Sequence, residues 1–276
     1  MYLLSYFKEE AESLFLAESV DGLSWTERNG GLPILTSSIG TGQIRDPFIL
    51  QDKSDRFHAL WTDGWNSLSI GYATSLDLNN WEDMRLIPLM HQWPDTQNVW
   101  APEAFYDSVH DFYRIIWSST VKPGPRDHRI WSTTTRDFKS FTEPALFFDP
   151  GFNVIDASVV TVDGDQLLLF KDERGRNEPG TDFKAIRSCR MEITSDKVVF
   201  GPLSDLLTPP LLEGPTAYML PEDNQLPWKW VLLADGFHEG CYAAFGSNDL
   251  ASWNRLSKDI IRLPAGIRHA SVLCLM

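Results

Sequence analysis

The stretch "SLDLNNW" (residues 75–81) is one of five versions of a single phrase. It recurs as "SVDGLSW" (19–25), "TRDFKSF" (135–141), "TSDKVVF" (194–200) and "SNDLASW" (247–253). The aspartates Asp21, Asp77, Asp137, Asp196 and Asp249 follow one another at intervals of 56, 60, 59 and 53 residues, and the closing aromatic keeps step. An Asp two places after Ser or Thr bonds its own downstream backbone, so each phrase reads as an Asx-type turn at the edge of a repeated unit.

Outward from each phrase the units agree. An alternating run such as "LSIGYATS" or "CYAAFGS" precedes the turn, and before that comes an apolar run such as "FHALWTD", "FYRIIWSS", "QLLLFKDE" or "KWVLLADG". Runs of this length, rich in β-branched and aromatic residues and bounded by Gly, Pro, Asn and Asp, read as strands. About four strands per repeat is the size of a propeller blade, so the fold class is all-β, a five-bladed β-propeller. "YLLSYF" opens the chain as a second strand and "RHASVLCL" ends it as a first strand. The C-terminal strand is therefore expected to join the N-terminal blade and close the ring, making residues 1–276 a single domain.

The remaining strand of each unit carries the chemistry. "RDPFIL", "APEAFY", "IDASVV", "EGPTAYML" and "RHASVLCL" place Asp46, Glu103, Asp156, Glu213 and His269 at intervals of 57, 53, 57 and 56 residues. First strands line a propeller's channel, so these side chains are expected on one ring about the axis. Carboxylates crowded there cannot all ionise freely, which separates their pKa values and suits an acid paired with a base. Hydrolysis of a glycoside needs such a pair. A second column, Asp63, Asp172 and Asp235, closes second strands; these are read as loop starts, with Asp235 in "ADGFHEG" the exception expected at the pocket. Trp65, Trp93 and Trp100 stand in loops or at strand entries and are candidate sugar-stacking faces, whereas Trp25, Trp81 and Trp253 repeat with the blades and read as core.

Bulk composition narrows the partners. With 38 acidic against 24 basic side chains the net charge is −14, which argues against nucleic acid and anionic membrane surfaces and accords with a small neutral oligosaccharide. "MYLLSYFKEE" has no basic lead-in followed by an apolar core, and no run approaches membrane-spanning length; a cytoplasmic protein without a signal peptide is expected. Cys189, Cys241 and Cys274 have no metal-ligand spacing and read as reduced thiols. No Cys/His cluster, "GxxxxGK" or "GxSxG" motif is present.

"RDPFI", "VWAPEAFY", "IDASVV" and "LEGPTAYML", in this order, resemble the signature strands of glycoside hydrolase family 43, the five-bladed propellers that include arabinofuranosidases, arabinanases and β-xylosidases. The resemblance runs through all five units. It implies an inverting glycosidase with Asp46 as general base, Glu213 as general acid and Asp156 as the carboxylate that tunes and orients the acid. Glu103 becomes a site-wall residue, and Trp65, Trp100, Asp235 and His269 join it as substrate-binding positions. His269 stands where family members place a histidine beside a channel calcium or other cation held through waters; no cofactor is otherwise required. An exo-acting enzyme trimming α-L-arabinofuranosides or β-D-xylosides is expected. Alternatives are a fructan-acting propeller, against which the absence of "NDPNG" and "EC" counts, a phosphorolytic enzyme using Arg45 and Arg268, and a non-catalytic carbohydrate-binding propeller.

Overall fold

The computed structural model describes residues 1–162, 165–176, 178–180 and 183–275. They form five antiparallel four-stranded sheets. Blade I contains Arg268–Cys274, Tyr2–Phe7, Phe15–Ser19 and Thr26–Glu27. Blade II contains Arg45–Gln51, Phe57–Thr62, Ser69–Ser75 and Trp81–Pro88, and blade III Trp100–Asp107, Phe112–Ser119, Arg129–Thr135 and Ala145–Phe148. Blade IV contains Val154–Val162, Asp165–Asp172, Ala185–Ile193 and Val198–Leu203, and blade V Glu213–Met219, Trp230–Gly236, Cys241–Ser247 and Asn254–Arg255. The five first strands touch their neighbours in a closed cycle, so they are the innermost strands of a propeller. Closure comes from pairing of Tyr2 with Cys274 through Ser5 with Ser271, as the strand reading expects.

Each junction between blades has its own apolar core. Blades V and I share Tyr2, Leu4, Trp25, Tyr218, Val231 and Leu233. Trp81 packs with Leu3, Ile49 and Trp61 between blades I and II, and Trp253 packs between blades IV and V. The repeated aromatics therefore fill inter-blade space. Four of the five Asx turns form: Asp21, Asp77, Asp137 and Asp249 each accept two backbone N–H groups at 2.8–2.9 Å. The residue after each of these aspartates has positive φ. Three of those residues, Leu78, Phe138 and Leu250, still turn an apolar side chain into a core.

The fifth copy departs from the expectation. "TSDKVVF" closes a tight hairpin in which the Thr194 amide donates to the Lys197 carbonyl and the Thr194 hydroxyl takes the amides of Asp196 and Lys197. The turn is too short for Asp196 to reach back. The cysteines also divide: Cys189 is buried, Cys241 half-buried and Cys274 exposed, all three free.

Every innermost strand carries a β-bulge at the same level. Register breaks between Arg45 and Phe48, Trp100 and Glu103, Ile155 and Ser158, and Glu213 and Thr216, with the matching break in blade I opposite Arg268. The first bulged residue is left-handed in all five strands: Asp46, Ala101, Asp156, Gly214 and His269 have φ between 37° and 55°. Bulges re-aim side chains, and this ring of five is the level on which the site is built.

Two outcomes test this account. A Cβ at Gly71 would lie 1.8 Å from the Trp61 ring, its cross-strand partner, so Gly71→Ala should cost about 1–3 kcal/mol by overpacking, measured by urea unfolding. Asp249→Ala should lose about 1 kcal/mol with its turn bonds, whereas Asp196→Ala should be near neutral; equal losses would show that the fifth turn is capped like the others.

Candidate active site

Aligned by their bulges, the five strands give three tiers. The position before the bulge holds Arg45, Trp100, Ile155, Glu213 and Arg268. The bulge holds Asp46, Ala101, Asp156, Gly214 and His269, and two places further on stand Phe48, Glu103, Ser158, Thr216 and Ser271. The single column expected from spacing therefore divides. Asp46, Asp156 and His269 lie on the floor ring, Glu213 stands one residue higher on the wall, and Glu103 sits two residues beyond the bulge. A cavity of about 90 Å³ is lined by Arg45, Asp46, Thr62, Trp65, Trp100, Ile155, Asp156, Glu213 and His269. Glu103 lines a narrower axial space beneath, with Pro47, Pro102 and Pro215. The bulges cause the split, because one extra residue flips the faces that alternate along a strand.

A bulge strands a backbone N–H, and a side chain of the preceding blade takes four of the five. Thr62 Oγ1 accepts the Ala101 amide at 2.8 Å, Ser118 Oγ the Asp156 amide at 3.1 Å, Asp156 Oδ2 the Gly214 amide at 3.1 Å and Asp235 Oδ2 the His269 amide at 3.0 Å. Thr62, Ser118, Lys171 and Asp235 face Arg45, Trp100, Ile155 and Glu213 across the strand pair. This register explains the second acidic column: Asp235 belongs to it, whereas Asp63 and Asp172 fall one residue later and face away. Asp63 takes Thr41 and Ser67, pinning a loop; Asp172 pairs with Arg174 and Arg187.

The site is densely charge-paired. Asp46 accepts the Thr62 hydroxyl on Oδ2 at 2.7 Å and has His269 Nδ1 3.3 Å from Oδ1. Glu213 Oε2 lies 2.7 Å from Lys171 Nζ, and Oε1 lies 3.7 Å from Arg268. Lys171 is buried and also bridges to Glu173 at 2.8 Å. Nothing in "LLLFKDE" marked it, since a lysine after an apolar strand is ordinarily a solvated end; only its cross-strand register could have. Arg268 Nε meets Asp235 at 2.8 Å and its other arm meets Glu9, while Arg45 meets Glu12 at 2.5 Å. Both arginines weighed for phosphate are thus neutralised by carboxylates.

Burial pushes Asp156 up to about 6, helped by Glu213 and Asp46 and opposed by His269. Burial likewise lifts Glu103 to about 8, against a bond from Ser158 and the charge of His269. Asp235 is raised by burial while the His269 amide opposes the shift. For His269 burial disfavours the imidazolium, but Asp46, Asp156, Glu213 and Asp235 outweigh it and raise its pKa. Among the described residues no three His, Cys, Asp or Glu side chains converge as ligands, so the residues present do not fit a directly held cation.

Two of the three aromatic candidates, Trp65 and Trp100, line the cavity. Trp65 and Trp100 meet edge to face at 5.4 Å, and Trp100 Nε1 donates to the Trp65 carbonyl at 3.0 Å. Trp93 lies elsewhere, packed on Trp131 at 4.9 Å. No helix among the described residues is long and apolar enough to cross a membrane.

The raised carboxyls fix a pH dependence. Folded Glu103 holds its proton from the ordinary 4.5 up to about 8, so in that window the native state binds more protons than the unfolded chain and stability falls as pH rises. Thermal unfolding from pH 5 to 9 should show this decline, and Glu103→Gln, with no charge to bury, should flatten it; an unchanged slope would mean that Glu103 is not the group responsible.

Known proteins share this fold. The family model described as "Probable glycosyl hydrolase domain", a family-43-related group, matches residues 1–276. An α-L-arabinofuranosidase of Bifidobacterium longum is 28% identical over 276 aligned residues, covering 83% of this chain and 25% of the relative, so the chain spans about a quarter of that protein's length. A thermostable family-43 glycoside hydrolase superposes with a TM-score of 0.60 at 19% identity, over 81% of this chain and 75% of that one. An α-L-arabinofuranosidase from Lactobacillus brevis gives 0.55 at 17%, over 77% and 72%. At those identities the structural likeness is one of fold. The full-length family match is the stronger finding, and by it the chain belongs to the family-43-related glycosyl hydrolases.

Proposed function

We propose that the chain is an inverting glycosidase that removes a terminal α-L-arabinofuranosyl or β-D-xylosyl unit from short oligosaccharides. The observation that carries this is the convergence of Asp46, Asp156 and Glu213 on one cavity. At about 90 Å³ it is well below the ~300 Å³ at which drug-sized sites begin, which favours a single end unit over the middle of a chain. Relatives named as arabinofuranosidases support the sugar class, as does a xylan β-1,4-xylosidase from Bacillus halodurans at TM-score 0.58, 19% identity and coverage of 81% of this chain and 43% of that one.

In this reading Asp46, oriented through both oxygens by Thr62 and His269, takes a proton from the attacking water. Glu213 delivers one to the leaving oxygen. Its Oε2 is held by Lys171, which leaves Oε1 as the oxygen able to face the glycosidic bond. Asp156 binds the amide of Gly214, the neighbour of Glu213, and so orients the acid through the backbone. Asp46 and Glu213 stand on blades II and V, which are not adjacent in the ring. That placement suits the ~6.5–9.5 Å separation that leaves room for water in inverting enzymes.

Aryl α-L-arabinofuranoside and aryl β-D-xyloside should release nitrophenol, with the inverted anomer appearing first by NMR. Asp46→Asn should lose roughly 10²–10⁴-fold in kcat. Glu213→Gln should lose more on an oligosaccharide than on an aryl glycoside, whose leaving group needs less protonation. Wild-type turnover by Asp46→Asn, or initial release of the retained anomer, would defeat the assignment.

A further inference from the structure

The loop between the second and third strands of blade III, "TVKPGPRDH" (120–128), runs along the face on which the site opens and is held in place. Gln97 Nε2 donates to the carbonyls of Lys122 and Gly124 at 2.7 and 3.0 Å, and the Asp127 amide donates to Thr120 Oγ1 at 2.9 Å. Asn153 accepts the His128 amide at 2.8 Å. This scaffold presents Arg126 at the pocket mouth. Its guanidinium lies 4.3 Å from the centre of the Trp100 ring, and one nitrogen reaches Asn66 Oδ1 at 3.1 Å and the Trp65 carbonyl at 3.5 Å.

The contrast with its neighbours is informative. Arg45, Lys171, Arg268 and His269, the other cationic groups of the site, each meet a carboxylate. Lys122 and Arg129 share Asp127 in the loop itself. Arg126 contacts only neutral oxygens, and among the described residues its Nε and second terminal nitrogen bond no protein acceptor. An exposed guanidinium stacked on a tryptophan of the mouth, with one terminal nitrogen engaged by Asn66 and Trp65 and the others open, can give an anion a charge-assisted hydrogen bond. Such a bond is stronger to a carboxylate than to a neutral hydroxyl.

On the glycosidase reading above, we propose that Arg126 recognises a carboxylate on the leaving-group side of the substrate, so that the preferred substrate is an acidic oligosaccharide carrying a uronate unit outside the pocket. The terminal sugar occupies the cavity, the next units pass Trp100 and Trp65, and the uronate carboxylate accepts from an unengaged N–H of the Arg126 guanidinium. Because the contact lies away from the reacting atoms, it acts on ground state and transition state alike and appears in KM.

The test compares two oligosaccharides with the same terminal arabinosyl or xylosyl unit, one neutral and one bearing a glucuronate on the leaving side, using wild type, Arg126→Gln and Arg126→Lys. Wild type should prefer the acidic substrate by roughly three- to tenfold in kcat/KM, chiefly through KM. Raising salt from 0.15 to 1 M, where the screening length falls from about 8 to about 3 Å, should erode that ratio. Arg126→Gln should bring it to about one, and Arg126→Lys should keep part of it. Equal kcat/KM for both substrates in wild type, or a ratio that Arg126→Gln leaves unchanged, would overturn the proposal. Turnover of neither substrate would instead defeat the glycosidase reading on which it rests.

Discussion

The constraint on which the rest of this molecule depends is the stranded backbone N–H of each innermost strand. A bulge at one level of all five strands breaks the ladder and leaves a buried donor unpaired, a cost of about 1–3 kcal/mol apiece if nothing answers it. Thr62, Ser118, Asp156 and Asp235 answer it from the preceding blade. The same bonds therefore lock blade to blade and set the orientation of the catalytic candidates. Asp156 serves twice, as the acceptor for Gly214 and as a carboxyl of the floor ring. Fold stability and site geometry are coupled through a handful of hydrogen bonds around the axis.

Around this ring the apolar cores are divided. Among the described residues the buried apolar side chains fall into five clusters, each between two neighbouring blades, with Trp61, Trp117, Phe138, Phe170 and Phe245 among the fully buried side chains. Such sheets cannot cover their own faces, so the ring must close for all of them to be dry. Pairing of Tyr2–Phe7 with Arg268–Cys274 supplies that closure and brings Arg268 and His269 to the site. Closure and chemistry are one event in blade I.

Charge is managed by the same economy. Asp46, Asp156, Glu213 and Asp235 crowd the upper channel, and Lys171, Arg268 and His269 are placed among them. Burial lifts Asp156 to about 6 and raises Asp235, and the charge of His269 opposes both shifts. Cations interleaved among the carboxylates balance the charge of so small a space.

Much of this was legible in the chain. The spacing of Asp21, Asp77, Asp137 and Asp249 reports blade number because each turn is built from local bonds between residues two or three apart. The strand phrases "RDPFIL", "IDASVV" and "EGPTAYML" place Asp46, Asp156 and Glu213 in their strands, and the cavity brings all three together. Sequence by itself thus determined the repeat, the strands and the acidic residues, since period and pattern are properties of neighbours along the chain. Only the tertiary structure decided the tiers. The bulges separate Glu103 and Glu213 from the level of Asp46, and cross-strand register puts Lys171 and Asp235 at the site while turning Asp63 and Asp172 away. The physical reason is that a one-residue shift reverses which face a strand side chain occupies, and that shift is set by pairing with a strand many residues distant.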